Sequence, residues 1–479
     1  MANELFANLL LYDVGSTYTK LTAFHIDHTG LSYMGRAQAF TTVEDITLGF
    51  EYAKAQLLTQ NITLSDNINI LASSSAAGGL RMVAMGYMPR VTAKAAKEVA
   101  MNAGARVLEV LSCEEHPTYR EEILQEIKPD MILLVGGTDN GDTSSMEENA
   151  HIISRAGGKA QVIIAGNRAM QETVENILQQ GGKETTRVPN VMPTIHQLNV
   201  APARQAIHTA FIHEITKAKG MSTLLETLSN RKIVPTPGAV LLGAELLAKG
   251  SFQEEGIGNL LVIDLGGATT DIHSILPELE ELPDEEKGLV VSNAKQLSHR
   301  TVEGCLGLRI SAGGVLETVG AENILRKIGL YTPENAERLT DYCWMLEKNP
   351  TYVPKEQEEK QFDIGIAISA IEVALKRHAG YIAQEFDPVT GMVPGVPIGR
   401  DLRKVKHILA VGGIFSHAPQ ETREFIVTEA LKNPGISLLP QEASFAFDSH
   451  YFLYAIGILA EHYPKETYNF AKKWYGGKQ

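Results

Sequence analysis

The strongest constraint in the sequence is an internal repeat. LLLYDVGSTYTK, from position 9, lies over LLVIDLGGATTD, from position 260, without a gap, so that Asp13 falls on Asp264, Gly15 on Gly266 and Thr19 on Thr270. In each copy a buried apolar strand runs into Asp-x-Gly and then into small or hydroxyl residues. That pattern suits a tight hairpin that brings backbone amides against phosphate oxygens, with glycine supplying positive φ and close approach. A second overlay sets GAVLLGAELLA, from 238, beside YAIGILAEHY, from 454, both small-residue helices of the kind that cross closely. The repeat predicts two related halves with extra material in the first.

The two carboxylates sharpen this reading. Asp13 and Asp264 end their strands facing a common cleft, where each can hold the water shell of Mg²⁺, an ion that keeps several waters while bridging phosphates. They are the candidate catalytic and metal-binding residues. Ser16, Thr17, Thr269 and Thr270 can donate hydroxyls to the β- and γ-phosphates, and Gly15, Lys20, Gly266 and Gly267 complete the two turns. A third element is ILAVGGIFSHAP, from Ile408, in which a buried strand ends in Gly412-Gly413 and gives a nucleotide a flat backbone surface. There is no Gly-Lys-Ser/Thr, no G-x-G-x-x-G and no H-E-x-x-H, so the familiar alternative nucleotide and metal motifs are missing.

Short apolar runs at Leu9–Tyr12, Met131–Val135, Val162–Ala165, Leu260–Ile263 and Ile408–Val411 alternate with stretches of helical spacing at Ala93–Ala103, Met146–Ala156, Gln197–Lys217 and Asp363–Gln384, an α/β pattern. The acidic segment Pro277–Lys287 reads as an exposed loop. The 479 residues leave room for about two to four domains. With 43 basic and 57 acidic residues the net charge is −14, which disfavours broad attraction to nucleic acid or to an anionic membrane. No apolar run approaches the ~18 residues that cross a bilayer, and MANELFANLLLYD has neither the basic start nor the long apolar core of an export signal. Cys113, Cys305 and Cys343 show no C-x-x-C spacing, so neither a disulfide framework nor a thiolate cage is encoded and a cytoplasmic location is expected.

These residues resemble the actin, sugar kinase and heat-shock-chaperone ATPase superfamily, whose five motifs have a fixed order. Phosphate-1 resembles LLLYDVGSTYTK, the first connecting helix PTPGAVLLGAELL from Pro235, phosphate-2 LLVIDLGGATTD, adenosine ILAVGGIF and the second connecting helix YAIGILAE. The resemblance implies an α/β fold of duplicated actin-like (ribonuclease H-like) ATPase domains with an inserted α/β swivelling domain. Residues 1–75 are then the first part of half I, 76–230 the insert, 231–259 the return to half I and 260–479 half II. Where the chaperone branch has a glutamate that helps position the attacking water, this chain has Val234, and Asp264 is the leading candidate for that task.

Within the superfamily, SSSAAGGLRM, ILLVGGTDNGD, IAGNRA, NVMP and RTVEG closely resemble the MutL (GlmL) family that accompanies adenosylcobalamin-dependent glutamate mutase, unrelated to the DNA-repair proteins of the same name. This implies a reactivating ATPase that uses ATP/ADP and Mg²⁺ to release damaged cobalamin from a stalled mutase, glutamate mutase or a related aminomutase. Its partners would be mutase subunits, with a small partner subunit or self-association. The competing readings are a small-molecule kinase or hydantoinase-type hydrolase of the same fold, and a filament-forming module. Gly136-Gly137 mimics the adenosine turn but is read as an ordinary strand-to-helix turn. Asp271-Ile272-His273 mimics half of a cobalamin-ligand motif, yet Leu276 replaces its glycine. Arg81 is either a γ-phosphate contact or an exposed arginine at a helix start; Glu303 is read as an ion-pair partner and Cys305 as a small packed residue.

Overall fold

The computed structural model describes residues 5–15, 18–41, 46–74, 81–87, 106–194, 199, 202–203, 205–207, 209–210, 221–230, 232–251, 254–276, 298–387 and 391–475. The chain divides into two compact units, Met1–Ala239 and Val240–Gln479. The expected helix Ala93–Ala103, most of Gln197–Lys217 and the acidic segment Pro277–Lys287 lie outside the described residues, as do Ser16 and Thr17.

In the first unit the strands are β1 (Leu5–Val14), β2 (Tyr18–Asp27), β3 (Gly30–Phe40), β4 (Ile62–Ser74), β5 (Arg81–Gly86), β6 (Arg106–Ser112), β7 (Met131–Leu134), β8 (Gln161–Ile164), β9 (Thr185–Arg187) and β10 (Ile233–Pro235). One sheet has the order β10-β4-β1-β2-β3, with β2 antiparallel to both of its neighbours and β4 parallel to β1 and β10. The other sheet, β6-β5-β7-β8-β9, is wholly parallel. Its central strands β5, β7 and β8 are apolar on both faces, as a doubly covered parallel sheet requires. Met82, Ala84, Met131 and Leu133 point into one core with Leu10 and Tyr12 of the first sheet and Phe50, Ala53 and Leu57 of the helix Ile46–Leu58. The alternate residues Val83, Met85, Ile132 and Leu134 face a second core that includes Ile152, Ile153, Val174 and Leu178, from helices Ser144–Arg155 and Gln171–Gln180.

The second unit holds the small pair β11 (Gly250–Ser251) and β12 (Glu254–Glu255), then β13 (Leu260–Leu265), β14 (Thr270–Ile275), β15 (Ser298–Glu303), the hairpin β16 (Tyr381–Asp387) and β17 (Gly391–Ile398), β18 (His407–Gly412) and β19 (Ser444–Phe447). Its main sheet runs β15-β14-β13-β18-β19, with β14 antiparallel to both neighbours and β18 parallel to β13 and β19. This is the order and direction of the first unit's mixed sheet, strand for strand. The repeat in the sequence is therefore a repeat of whole sheet topology, the duplicated actin-like arrangement. The two copies are interrupted at different places: the first holds its parallel sheet between the fourth and fifth strands, the second holds helices and the β16–β17 hairpin between the third and fourth.

Four of the expected elements need adjustment or confirmation. The helix at Asp363–Gln384 spans Gln357–His378 and gives way to β16 at Tyr381. Gly380 sits against a neighbouring strand, where a Cβ would lie 2.3 Å from the Ile398 carbonyl oxygen. The helix at Met146–Ala156 spans Ser144–Arg155, as its spacing predicts to within two residues. The close helix crossing is also present: a Cβ on Gly243, in the helix Thr236–Lys249, would stand 2.4 Å from Leu453 O and 3.2 Å from Gly457 N of the helix Leu453–Ala460. Among the described residues no helix is long and apolar enough to cross a membrane.

Candidate functional site

In the first unit β1 and β2 meet at the Asp-x-Gly turn, closed by the Gly15 amide donating to Tyr18 O at 3.0 Å. Gly15 is required by close approach, since a Cβ would stand 2.6 Å from Tyr18 O; its φ is not positive. Asp13 is 2% exposed and accepts three side-chain donors. Thr236 Oγ1 reaches Oδ1 at 2.6 Å, Ser73 Oγ reaches the same oxygen at 2.9 Å, and Lys20 Nζ reaches Oδ2 at 3.2 Å. The sheet register explains the set: Lys20 stands opposite Asp13 on β2, and Ser73 opposite it on β4. Thr236 follows β10, which pairs with β4 through Val234 and Ser73, and begins the helix Thr236–Lys249. Lys20 thus appears as the counter-ion of Asp13. Ser73 and Thr236 were not singled out by sequence reasoning, although both lie in quoted motifs, the SSS run and the Pro-Thr of the connecting helix.

The second unit repeats the turn, with Gly266 N donating to Thr269 O at 2.9 Å. Asp264 is half-buried at the end of β13. Opposite it on β14 stands Asp271, where the first unit has Lys20, so the charge pattern is inverted. Asp271 accepts from Arg300 Nε at 2.8 Å and from Thr269 Oγ1 at 2.9 Å. Thr270 is wholly buried and its hydroxyl donates to Leu306 O at 2.7 Å. Thr19, its counterpart, is wholly buried too and pairs with the Thr41 hydroxyl at 3.0 Å.

A following segment grips this turn. Leu308 N and Arg309 N donate to Gly266 O and Gly267 O at 3.0 and 2.8 Å, and Gly307 packs where a Cβ would lie 2.5 Å from Gly267 O. Arg309 anchors the segment through a forked pair to Asp363 at 3.1 and 2.8 Å. Burial pushes the Asp363 carboxyl above its ordinary range against the opposing pull of that guanidinium.

The third element lies beside the second hairpin, for β18 pairs with β13 so that Gly412 stands opposite Leu265. Gly412 has φ +127 and a Cβ there would be 2.1 Å from Leu265 O, so glycine is obligatory. Gly413 is exposed, and the nearest atom to an added Cβ is the Tyr451 hydroxyl at 3.5 Å. The backbone surface at Gly413 is therefore open.

Other singled-out residues have structural employment. Arg81 begins a strand rather than a helix, and its guanidinium donates to Ile127 O at the end of the helix Pro117–Ile127. Glu303 pairs with Arg377 at 2.5 Å, the ion pair the sequence suggested. Cys305 is exposed, which corrects its reading as a packed residue. His273 is fully buried on β14, with neither ring nitrogen hydrogen-bonded among the described residues, so it is placed to pack and not to ligate. The Gly136-Gly137 turn is bound up internally: Asn190 Nδ2 donates to Gly137 O at 3.1 Å and to Asp139 Oδ1 at 2.9 Å, while Asp142 takes the Ser145 amide at 3.1 Å.

The donors present fit a magnesium nucleotide. Taken by itself, the first unit's turn has a glycine-limited backbone and a carboxylate with a lysine beside it, and the second unit's turn has a carboxylate with an open glycine at the end of β18 nearby in the same sheet. No group of three or more carboxylate, imidazole or thiol side chains that could cage a metal exists among the described residues.

Comparison with known proteins gives a consistent assignment by sequence. A family model described as MutL protein matches residues 9–475. Protein MutL of Clostridium tetanomorphum is 39% identical over 468 residues, covering 97% of this chain and 98% of that protein. Among solved structures, a glycerol dehydratase reactivase matches with a TM-score of 0.36 at 11% identity, covering 95% of this chain and 99% of that one. A carbohydrate kinase from Novosphingobium aromaticivorans matches with a TM-score of 0.31 at 11% identity, covering 96% and 92%. At these TM-scores the superpositions are too loose to bear on function.

Proposed function

The chain belongs to the MutL protein family, and from that premise we propose that it is an ATP-dependent reactivating factor for an adenosylcobalamin-dependent mutase, glutamate mutase or a related aminomutase. The observation that carries the nucleotide part is the twice-built hairpin: the same turn, on the same strand pair, in the same sheet topology, with a carboxylate at each. In this reading Gly15, Ser16, Thr17 and Lys20 of the first hairpin and Gly266, Gly267 and Thr269 of the second handle the phosphates, and Gly412 and Gly413 take the nucleoside. Thr19 and Thr270 hold the hairpins in shape through their buried hydroxyls, which narrows the earlier role of Thr270 to support.

Magnesium, held through water by Asp13 and Asp264, would neutralise charge on the transferred phosphate. With Val234 in place of a carboxylate, Asp264 orients the attacking water, the more accessible of the two aspartates. Coupling to the client follows from linkage: a mutase that binds one nucleotide state better is shifted by hydrolysis, and it must in turn alter nucleotide affinity.

The test is release of cyanocobalamin from blocked glutamate mutase, in the presence of Mg²⁺ and fresh adenosylcobalamin, with ATP, with ADP or with a non-hydrolysable analogue. Release that requires hydrolysable ATP is expected. Equal release in all three conditions, or phosphorylation of a small metabolite far faster than basal hydrolysis, overturns the proposal in favour of a kinase.

A further inference from the structure

Tyr451 has φ +55, the left-handed region that bulky side chains rarely occupy. It is held there by its neighbours. Asp448, 1% exposed, closes the turn by accepting the amides of His450 at 3.3 Å, Phe452 at 2.9 Å and Leu453 at 2.9 Å. The same turn is fastened to the end of β18: Asp448 N donates to Ala410 O at 2.9 Å, and Ser416 Oγ bridges Gly412 O at 3.1 Å and Asp448 O at 3.2 Å. His450 is stacked on Phe452, ring centroids 5.1 Å apart, so the residue before Tyr451 is committed to packing. The Tyr451 side chain is half-buried and runs beside the start of the helix Gly413–His417, with its hydroxyl 3.5 Å from the place a Gly413 Cβ would occupy.

Strained residues persist where the surroundings over-determine them, and they collect at ligand clamps. An asparagine or glycine would satisfy this backbone with less strain. We propose that Tyr451 is a side wall of the nucleoside subsite, its ring and hydroxyl lying against the edge of the base or ribose of an adenine nucleotide that rests beside it on Gly413. This rests on the reading of Gly412-Gly413 as the nucleoside surface. It makes a prediction that a packing role does not make, namely that stability and affinity move in opposite directions.

The experiment is calorimetric binding of ADP, together with thermal melting, for the full chain and for Tyr451→Gly, Tyr451→Asn, Tyr451→Phe and Gly413→Val. Tyr451→Gly and Tyr451→Asn are expected to melt at or above the wild-type temperature yet bind ADP about tenfold more weakly, the loss of one base–aromatic contact. Tyr451→Phe keeps the ring and loses less. Inhibition of turnover by inorganic tripolyphosphate stays unchanged in all of them, because the wall touches only the nucleoside. If Gly413→Val weakens ADP binding while Tyr451→Gly binds like wild type, the subsite stands and the proposal for Tyr451 falls. If Gly413→Val also binds ADP like wild type, the nucleoside reading of this surface falls, and the proposal with it. A Tyr451→Gly variant that loses both stability and affinity assigns the tyrosine to packing and likewise overturns it.

Discussion

Removing the Thr236 hydroxyl tests the carboxylate of the first hairpin without touching it. Asp13 Oδ1 has two donors, Thr236 at 2.6 Å and Ser73 at 2.9 Å, and Oδ2 has Lys20 at 3.2 Å. In Thr236→Val a methyl replaces the hydroxyl with little change of volume, beside a carboxylate that is 2% exposed. A hydrogen bond to a charged group is worth about 1.5–3 kcal/mol, and the surviving donors put this one near the lower end, about 1.5–2 kcal/mol. For a compact unit of this size the melting temperature falls by roughly 2–4 °C per kcal/mol, hence roughly 3–8 °C. Thr236→Ser restores most of that.

The catalytic consequence should be of the same order. With one donor left on Oδ1 the carboxylate is held less firmly, and ATP turnover is expected to fall about tenfold, equivalent to about 1.4 kcal/mol, with little change in KM. The assays are differential scanning calorimetry and steady-state phosphate release on wild type, Thr236→Val, Thr236→Ser and Asp13→Asn. If Thr236→Val melts and turns over like wild type while Asp13→Asn is inactive, the bond carries no weight. If Asp13→Asn is itself fully active and normally folded, the carboxylate has no part in the chemistry.

Two further outcomes follow from the geometry. Gly412→Ala forces a Cβ into Leu265 O at φ +127 and should destabilise the second unit by about 1–3 kcal/mol, whereas Gly413→Val, with open space before it, should fold normally and show its effect only in nucleotide affinity; melting curves and ADP titrations of the two variants separate the cases, and equal melting temperatures for both would contradict the argument. Burial, with Arg300 near one and Arg400 near the other, holds His273 and His378 neutral well below the ordinary imidazole value; the unfolded chain takes up those protons below about pH 6.5, so stability is full above that pH and declines as pH falls through it, by about 1.4 kcal/mol per unit for each histidine. Melting measured from pH 7.5 to 5.5 should show the decline, and a flat profile would refute it.

The sequence was most informative where backbone geometry is dictated locally. The first Asp-x-Gly turn, the run ending at Gly412 and the helices that cross at Gly243 are visible because Gly15, Gly412 and Gly243 each stand where an added Cβ would lie within 3 Å of a backbone oxygen. Neither Gly15 nor Gly266 has the expected positive φ; close approach demands Gly15, while Gly266 is only closely packed. Contacts set by sheet register were harder to see. Ser73 lies 60 residues from Asp13 and Thr236 lies 223 residues away, and only the parallel pairing of β1, β4 and β10 brings them together. The strain at Tyr451 leaves no mark in the sequence at all, because nothing about a tyrosine announces its φ.

The same limit applies to the inverted charge of the two hairpins, and here the structure changes the chemical argument. Read as a repeat, Lys20 and Asp271 look like a simple mismatch. In the sheet they occupy equivalent places opposite the paired aspartates, but Lys20 is spent on Asp13 while Asp271 is turned to Arg300. The first hairpin therefore presents a carboxylate neutralised by a lysine and clamped by two hydroxyls, and the second a half-buried carboxylate next to a separate, buried ion pair. Two aspartates in matched positions thus stand in different surroundings: Asp13 is almost wholly buried among its donors, and Asp264 is half-buried. Under the proposed function both carboxylates hold the hydrated ion, and Asp264, the less buried of the two, also orients the attacking water. A duplicated fold supplies the symmetry, and different residues at one register position, Lys20 and Asp271, give the two carboxylates different surroundings.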